Sequence, residues 1–355
     1  PSTSQAETKY AVMGYQLGKP TFDKRSHGDT WMPGWSKDGN LYTPSDDTLG
    51  FDNACRWFGD EEESPDEADW SGYNIAVHKL TGDPNSNTLH GTTIKCLREY
   101  DAQGAEYSGR DSSPGPIPEW KSMNIISVDG DLYMPVFIAV PQGDFPRYVS
   151  ILKSTDKGLT WSASRAGYRW AQHDSGLFSE RDGFGAPAFV DYGQDPGIQG
   201  NPNWPDGAKD YIYAISNPSY DASEDLYLGR VLRKDIGHFD RKEWEFVIDF
   251  TETGGVRVPR WGPVTSPKKS ILGVSIGESA YGGLNWTTAQ WIAPIGKYIM
   301  IQWWGVECAD KNDPLCYDGS DTSKTNWVVY QADHVWGPWK TVGPFHEWHP
   351  EGLYV

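Results

Sequence analysis

The chain has 355 residues and a formal net charge of −18, a field that repels phosphate backbones and anionic lipids and so argues against nucleic-acid or membrane partners. No uninterrupted apolar run reaches the length of a membrane span, and a chain of this size buries a large core. Aromatic residues make up 14%, with 18 Trp; most serve packing, and the surplus suits sugar rings, whose apolar faces stack on indole.

Apolar alternation at period two dominates and long 3.6-residue periodicity is absent, so the chain is all-β. The first unit runs from a strand at 31–36 through the Lys37-Asp38-Gly39 turn into "GNLYTP", then "YNIAVHKL" and "TTIKCL". The second has 122–128, "GDLYMP", "YVSILKS" and "LTWSAS". The third has 186–192, "KDYIYAIS", "LYLGRVLR" and "EWEFVI", and the fourth has 287–293, "GKYIMIQ", "NWVVYQAD" and "GPWKTV". Four strands in a fixed order, recurring along the chain, are the mark of propeller blades. Residues 1–28, the stretch near 250–285 and the tail then supply a fifth blade, closed by strands from both termini. The expectation is a single-domain, five-bladed β-propeller over 1–355, with four-stranded antiparallel blades. Within it, "STDKGLTW" at 154–161 fits the Asp-box pattern S-x-D-x-G-x-T-W, a turn device between a third and a fourth strand.

Four Cys without C-x-x-C spacing fit an oxidised, extracellular protein. Cys308 and Cys316 bracket a short polar loop, which leaves Cys55 with Cys96 as the second disulfide. An Asn285-Trp286-Thr287 sequon and an opening at Pro1 agree with secretion. No zinc motif, P-loop, dinucleotide fingerprint or nucleophile elbow is present, and no cofactor is expected. The loop 310–321 has oxygen ligands for calcium but lacks EF-hand spacing. His78, His90 and His238 stand alone and read as structural.

Chemistry belongs on the long loops at one mouth of the propeller. The stretches before the innermost strands are "HGDTW", "PEWKS", "SERDGFG" and "GESAYGGLNW", and the tail adds "FHEWHPEG". Each directs an acidic residue to that mouth. Asp29 starts the first innermost strand; Asp46 and Asp47 end its antiparallel partner, so one hairpin returns all three to the same face. Two carboxylates held close push their pKa values apart, which is what glycosidic hydrolysis needs. Asp29 and Asp47 are the candidate acid and base or nucleophile, with Asp182 and Glu278 completing the set. Trp31, Trp120 and Trp348 are candidates for stacking on sugar. His27, Asp46, Lys121, Arg181, Asn285 and His346 are candidates for binding hydroxyls or a carboxylate. A lone Asp in such a loop is equally a turn cap, and the acidic run at 60–69 reads as a solvated face.

Taken together, "DTWMPGWSKDGNLYTPSDDTLGF", "NIAVHKLTGDP", "WKSMNIISVDGDLY", "ILKSTDKGLTW", "GAPAFVDYGQD" and "WGPWKTV" resemble a family of secreted microbial β-propeller proteins of largely unknown function, related to the endo-D-arabinanase glycoside hydrolases. The resemblance runs from about residue 29 to 350 and implies a five-bladed propeller. Relatives often carry Gly-Asp-Gly after the first hairpin. Here Asp47 takes the acidic place, while Asp46 and Thr48 stand where the glycines would be. The leading expectation is a secreted glycoside hydrolase, monomeric, acting on a polysaccharide or oligosaccharide. The alternatives are a polysaccharide lyase, which needs a cation for a uronate carboxylate and a base for its C5 proton, and a carbohydrate-binding propeller without catalysis.

Overall fold

A computed structural model describes residues 24–55, 73–83, 88–97, 120–138, 147–163, 176–195, 204–219, 223–273, 287–307, 316–317 and 320–348. Among them 21 strands form four antiparallel sheets. Sheet 1 holds β1 (Gly34–Trp35), β2 (Leu41–Thr48), β3 (Tyr73–Thr81) and β4 (His90–Leu97), in that spatial order. Sheet 2 holds β5 (Trp120–Ser122), β6 (Ile126–Val128), β7 (Asp131–Ile138), β8 (Tyr148–Ser154), β9 (Ser162–Ala163) and β10 (Phe178–Ser179). In sheet 3, β11 (Ala186–Phe189), β12 (Tyr211–Asn217), β13 (Asp225–Leu232), β14 (Glu245–Thr253) and β15 (Val256–Pro263) follow one another, and β16 (Leu272–Gly273) pairs with β13. Sheet 4 holds β17 (Thr288–Ile292), β18 (Lys297–Glu307), β19 (Cys316–Tyr317), β20 (Ser320–Ala332) and β21 (Lys340–Trp348).

The innermost segments meet in sequence, which gives the sheets a propeller arrangement. The Ile125 amide donates to Met32 O between sheets 1 and 2. Gly34 makes that approach possible, since a Cβ there would lie 1.8 Å from Ile125 O. Buried Asn124 stitches sheet 2 to sheet 3: its Nδ2 donates to Phe189 O (2.7 Å) and its Oδ1 accepts from Phe189 N (2.8 Å). Sheets 3 and 4 meet where Asp191 N donates to Ala289 O and Trp291 N donates to Asp191 O. One apolar cluster fills the spaces among sheets 2, 3 and 4, and a second, with Tyr42, Val77, Ile125, Met134 and Trp161, fills the space between sheets 1 and 2.

Two expectations are corrected. The described residues form four sheets of four to six strands, not five blades. Within the stretch near 250–285, β15 does not found a new blade: it pairs with β14, which begins as the fourth strand expected of the third unit, and extends the same sheet. Residues 1–23 and 274–286 lie outside the described set. The inner strands are also shorter than expected. The segment 31–36 pairs with β2 only at Gly34–Trp35, and 122–128 splits into β5 and β6. Pro44 and Pro135 hold equivalent places in β2 and β7, and a proline has no N–H to offer the neighbouring strand, so the inner ladder opens beside each one.

Cys55 and Cys96 form the expected disulfide, tying the turn after β2 to β4. Cys308 lies outside the described residues, as does the side chain of Cys316, so the second pairing has no counterpart here. In the turn at 154–161, Asp156 accepts from the amide and hydroxyl of Thr160, and Gly158 takes φ 87°. Trp161 Nε1 caps Gly158 O, and the indole is buried in the cluster between sheets 1 and 2. No helix among the described residues is long and apolar enough to cross a membrane.

Candidate functional site

The opening beside Pro44 shapes the site. After the break the chain rejoins β2 through a single antiparallel bridge, Asp29 to Asp46, with both amide–carbonyl bonds at 3.0 Å. The hairpin therefore does bring Asp29 to Asp46 and Asp47. Two residues at this junction adopt the left-handed region, Thr30 at φ 53° and Asp47 at φ 44°. For a β-branched residue such as Thr30 this is a true outlier. Strain of this kind costs about 1–3 kcal/mol per residue and persists where surrounding contacts impose it.

The contacts that impose it converge on Asp46, which is fully buried. Its Oδ1 accepts from Ser122 N (2.9 Å) and Ser122 Oγ (2.6 Å), and its Oδ2 lies 2.5 Å from Thr30 Oγ1. Ser122 belongs to β5, so this carboxyl fastens sheet 2 to sheet 1. Beside it Lys121, itself buried, forms an ion pair with Asp47 Oδ2. Asp29 is exposed on one side, and its Oδ1 lies 3.4 Å from the Thr30 hydroxyl. Crowding by protein raises its pKa, the Asp47 charge raises it further, and the Lys121 charge opposes both. Burial pushes Asp46 up to about 8 against the pull of Ser122, Thr30 and Lys121.

A polar chain holds the segment leading into Asp29. Phe51 N donates to Thr93 Oγ1 (2.7 Å), so the Thr93 hydroxyl has its proton free for His78 Nδ1 (3.1 Å). That leaves Nε2 as the protonated nitrogen, donating to Ser45 Oγ (2.7 Å). Ser45 in turn donates to Thr48 Oγ1 (2.8 Å), and Thr48 donates to His27 O. The chain runs in one direction only with a neutral imidazole, and burial pushes the His78 pKa down to about 4. Between pH 6.5 and 4 the folded protein thus holds fewer protons than the unfolded chain, and stability falls as pH falls. We expect the stability of the wild type relative to His78→Gln to drop by about 2–3 kcal/mol across that window and to stay flat above it. Urea titrations at a series of pH values read this difference directly.

Several expected roles change. Asp46 has no surface to offer a substrate. Lys121 is buried and paired with Asp47. Trp31 stacks on His78 at 4.6 Å, meets Phe51 edge-on at 5.4 Å and donates from Nε1 to Gly28 O, so it braces the 27–31 segment. Asp182 lies apart from the cluster: it accepts from Ser179 N and Oγ and pairs with Arg241 at 2.7 Å. Arg181 is exposed on that same turn, and His27 is exposed beside Asp29, with Nδ1 accepting from Leu49 N at 3.4 Å. Glu278 and Asn285 lie outside the described residues, as do most of the loop 310–321 and the side chains of Trp120, His346 and Trp348. Thr30 and Ser122 were not foreseen, for a single hydroxyl beside a candidate acid carries no signal until a second sheet is placed against it.

No known family model matches the sequence. No curated protein matches it either. Solved structures with a similar course include a xylan beta-1,4-xylosidase from Bacillus halodurans, at 10% identity and TM-score 0.41, over 89% of this chain and 41% of that one. A second is a beta-xylosidase at 10% identity and TM-score 0.44, over 90% of this chain and 79% of that one. A third is an alpha-L-arabinofuranosidase from Podospora anserina in complex with cellotriose, at 10% identity and TM-score 0.39, over 92% and 71%. The chain spans less than half the length of the Bacillus enzyme. Likeness of this degree assigns neither activity nor substrate.

Proposed function

We propose that the protein is a glycoside hydrolase acting on a neutral or weakly charged polysaccharide, with Asp29 as the general acid and Asp47 as the base or nucleophile. One observation carries this reading. Two carboxylates set side by side by a hairpin sit in opposed environments: crowding raises the pKa of Asp29, while Lys121 neutralises the negative charge of Asp47. Environments that separate two carboxylates supply a proton donor and its partner. The same arrangement speaks against a uronate lyase. The buried cation beside these carboxyls, Lys121, is already engaged with Asp47, so it is not available to neutralise the carboxylate of a uronate.

The resemblance to relatives of the endo-D-arabinanases makes D-arabinan the first polymer to try. On this reading the protein works outside the cell, the turn at 154–161 is an Asp-box, and the exposed face of Asp29 meets the glycosidic oxygen. The test is a panel of plant, fungal and bacterial polysaccharides, D-arabinan included, read by the masses of released oligosaccharides. Products heavier than the anhydro-sugar series by one water support hydrolysis. No product from any polymer, together with glycan affinity unchanged in Asp29→Ala, would leave a binding propeller in its place.

A further inference from the structure

The contacts around Asp46 settle where a proton on it must sit. Its Oδ1 already receives two donors from Ser122. Oδ2 receives only a long 3.2 Å contact from Ser122 N and faces the Thr30 hydroxyl at 2.5 Å. The Thr30 hydroxyl has one proton to give and two carboxylates within reach, Asp46 Oδ2 at 2.5 Å and Asp29 Oδ1 at 3.4 Å. If Asp46 is ionised, the proton goes to Asp46 and Asp29 loses its donor. If Asp46 Oδ2 carries a proton, Thr30 becomes the acceptor there and its own proton is released toward Asp29.

We infer that Asp46 is a positioning residue for Asp29: its Oδ2 proton goes to the Thr30 hydroxyl, and the one proton of that hydroxyl then goes to Asp29. Thr30 has a left-handed backbone, and its hydroxyl lies between the two carboxyls. The other charged groups that act on the pair are Lys121 from β5 and, on Asp29, Asp47 from β2; His27, on the segment before Asp29, has its Nδ1 on Leu49 N. Burial pushing Asp46 up to about 8 agrees with a neutral acid in ordinary solution. The direction of the hydroxyl is then a switch: as pH rises through about 8 it turns to Asp46, and Asp29 is released. The use of this device in catalysis rests on the hydrolase reading; the proton arrangement itself does not.

Carbon-13 NMR of the aspartate carboxyls in the full chain, without substrate, tests the arrangement. In the wild type Asp46 should show the chemical shift of a neutral acid at pH 6 and change to carboxylate near pH 8. Thr30→Val keeps the branched shape, removes the donor, and should raise the Asp29 midpoint by about one pH unit. Asp46→Asn puts a permanent N–H where the Oδ2 proton sat, so Asp29 should keep the wild-type midpoint. An ionised Asp46 at pH 6 overturns the inference, and so does an Asp29 midpoint that Thr30→Val leaves in place. If Thr30→Val does not fold, the wild-type Asp46 titration decides alone. A chain that passes these tests and cleaves no polysaccharide refutes the hydrolase reading and not this one.

Discussion

Asparagine in place of Asp29 should lower kcat by about 10²–10⁴-fold on any polysaccharide the wild type cleaves, the range expected when a general acid is lost. The fold should survive the change. The bridge to Asp46 is made by the backbone, and the side chain is partly open to water. KM should move little, because the carboxyl acts on the bond being broken more than on the bound sugar. Circular dichroism and thermal melts on the same samples separate loss of chemistry from loss of structure. If activity is retained within a few-fold while structure is intact, Asp29 is not the acid.

Lys121→Met should show the larger effect on stability. Lys121 is buried and pairs with Asp47, with Asp29 and Asp46 close enough to feel its charge. Methionine matches its length, so the loss is one of charge. Removing one partner of a buried pair costs about 3–5 kcal/mol. The pH dependence shifts as well. Lys121 lowers the pKa of both Asp29 and Asp46, so without it both rise. The proton on Asp29 then survives to higher pH, and the alkaline limb of kcat/KM moves upward. A variant with unchanged stability and an unchanged pH profile would mean that Lys121 does not govern these carboxylates.

Much of this was legible in the residues. Period-two alternation gave the strands, and the repeated Leu-Tyr-x-Pro of "GNLYTP" and "GDLYMP" marked equivalent strands in two sheets. The short turn at Lys37–Asn40 was enough to bring Asp29 back to Asp46 and Asp47, and Cys55 with Cys96 followed from pairing the remaining thiols. The blade count was not legible. A strand pattern in the stretch near 250–285 reads the same whether it founds a sheet or extends one; only the pairing of β15 with β14 decides. The separate fates of Asp46 and Asp47 were hidden for a similar reason. Adjacent identical residues point to opposite sides of a strand. Which side is sealed depends on Ser122, which arrives from another sheet. Trp31 read as a sugar platform because its partners, His78 and Phe51, lie far along the chain.

On the proposed reading, Asp29, Asp47 and Lys121 form a hydrolytic centre between the first two sheets. Digestion in water labelled with heavy oxygen, followed by mass spectrometry of the oligosaccharides, tests it most directly. The wild type should place one labelled oxygen at each new reducing end, and the Asp29 variant should release almost none. Products lighter by one water and free of label, or labelled products formed equally well by the variant, would contradict it.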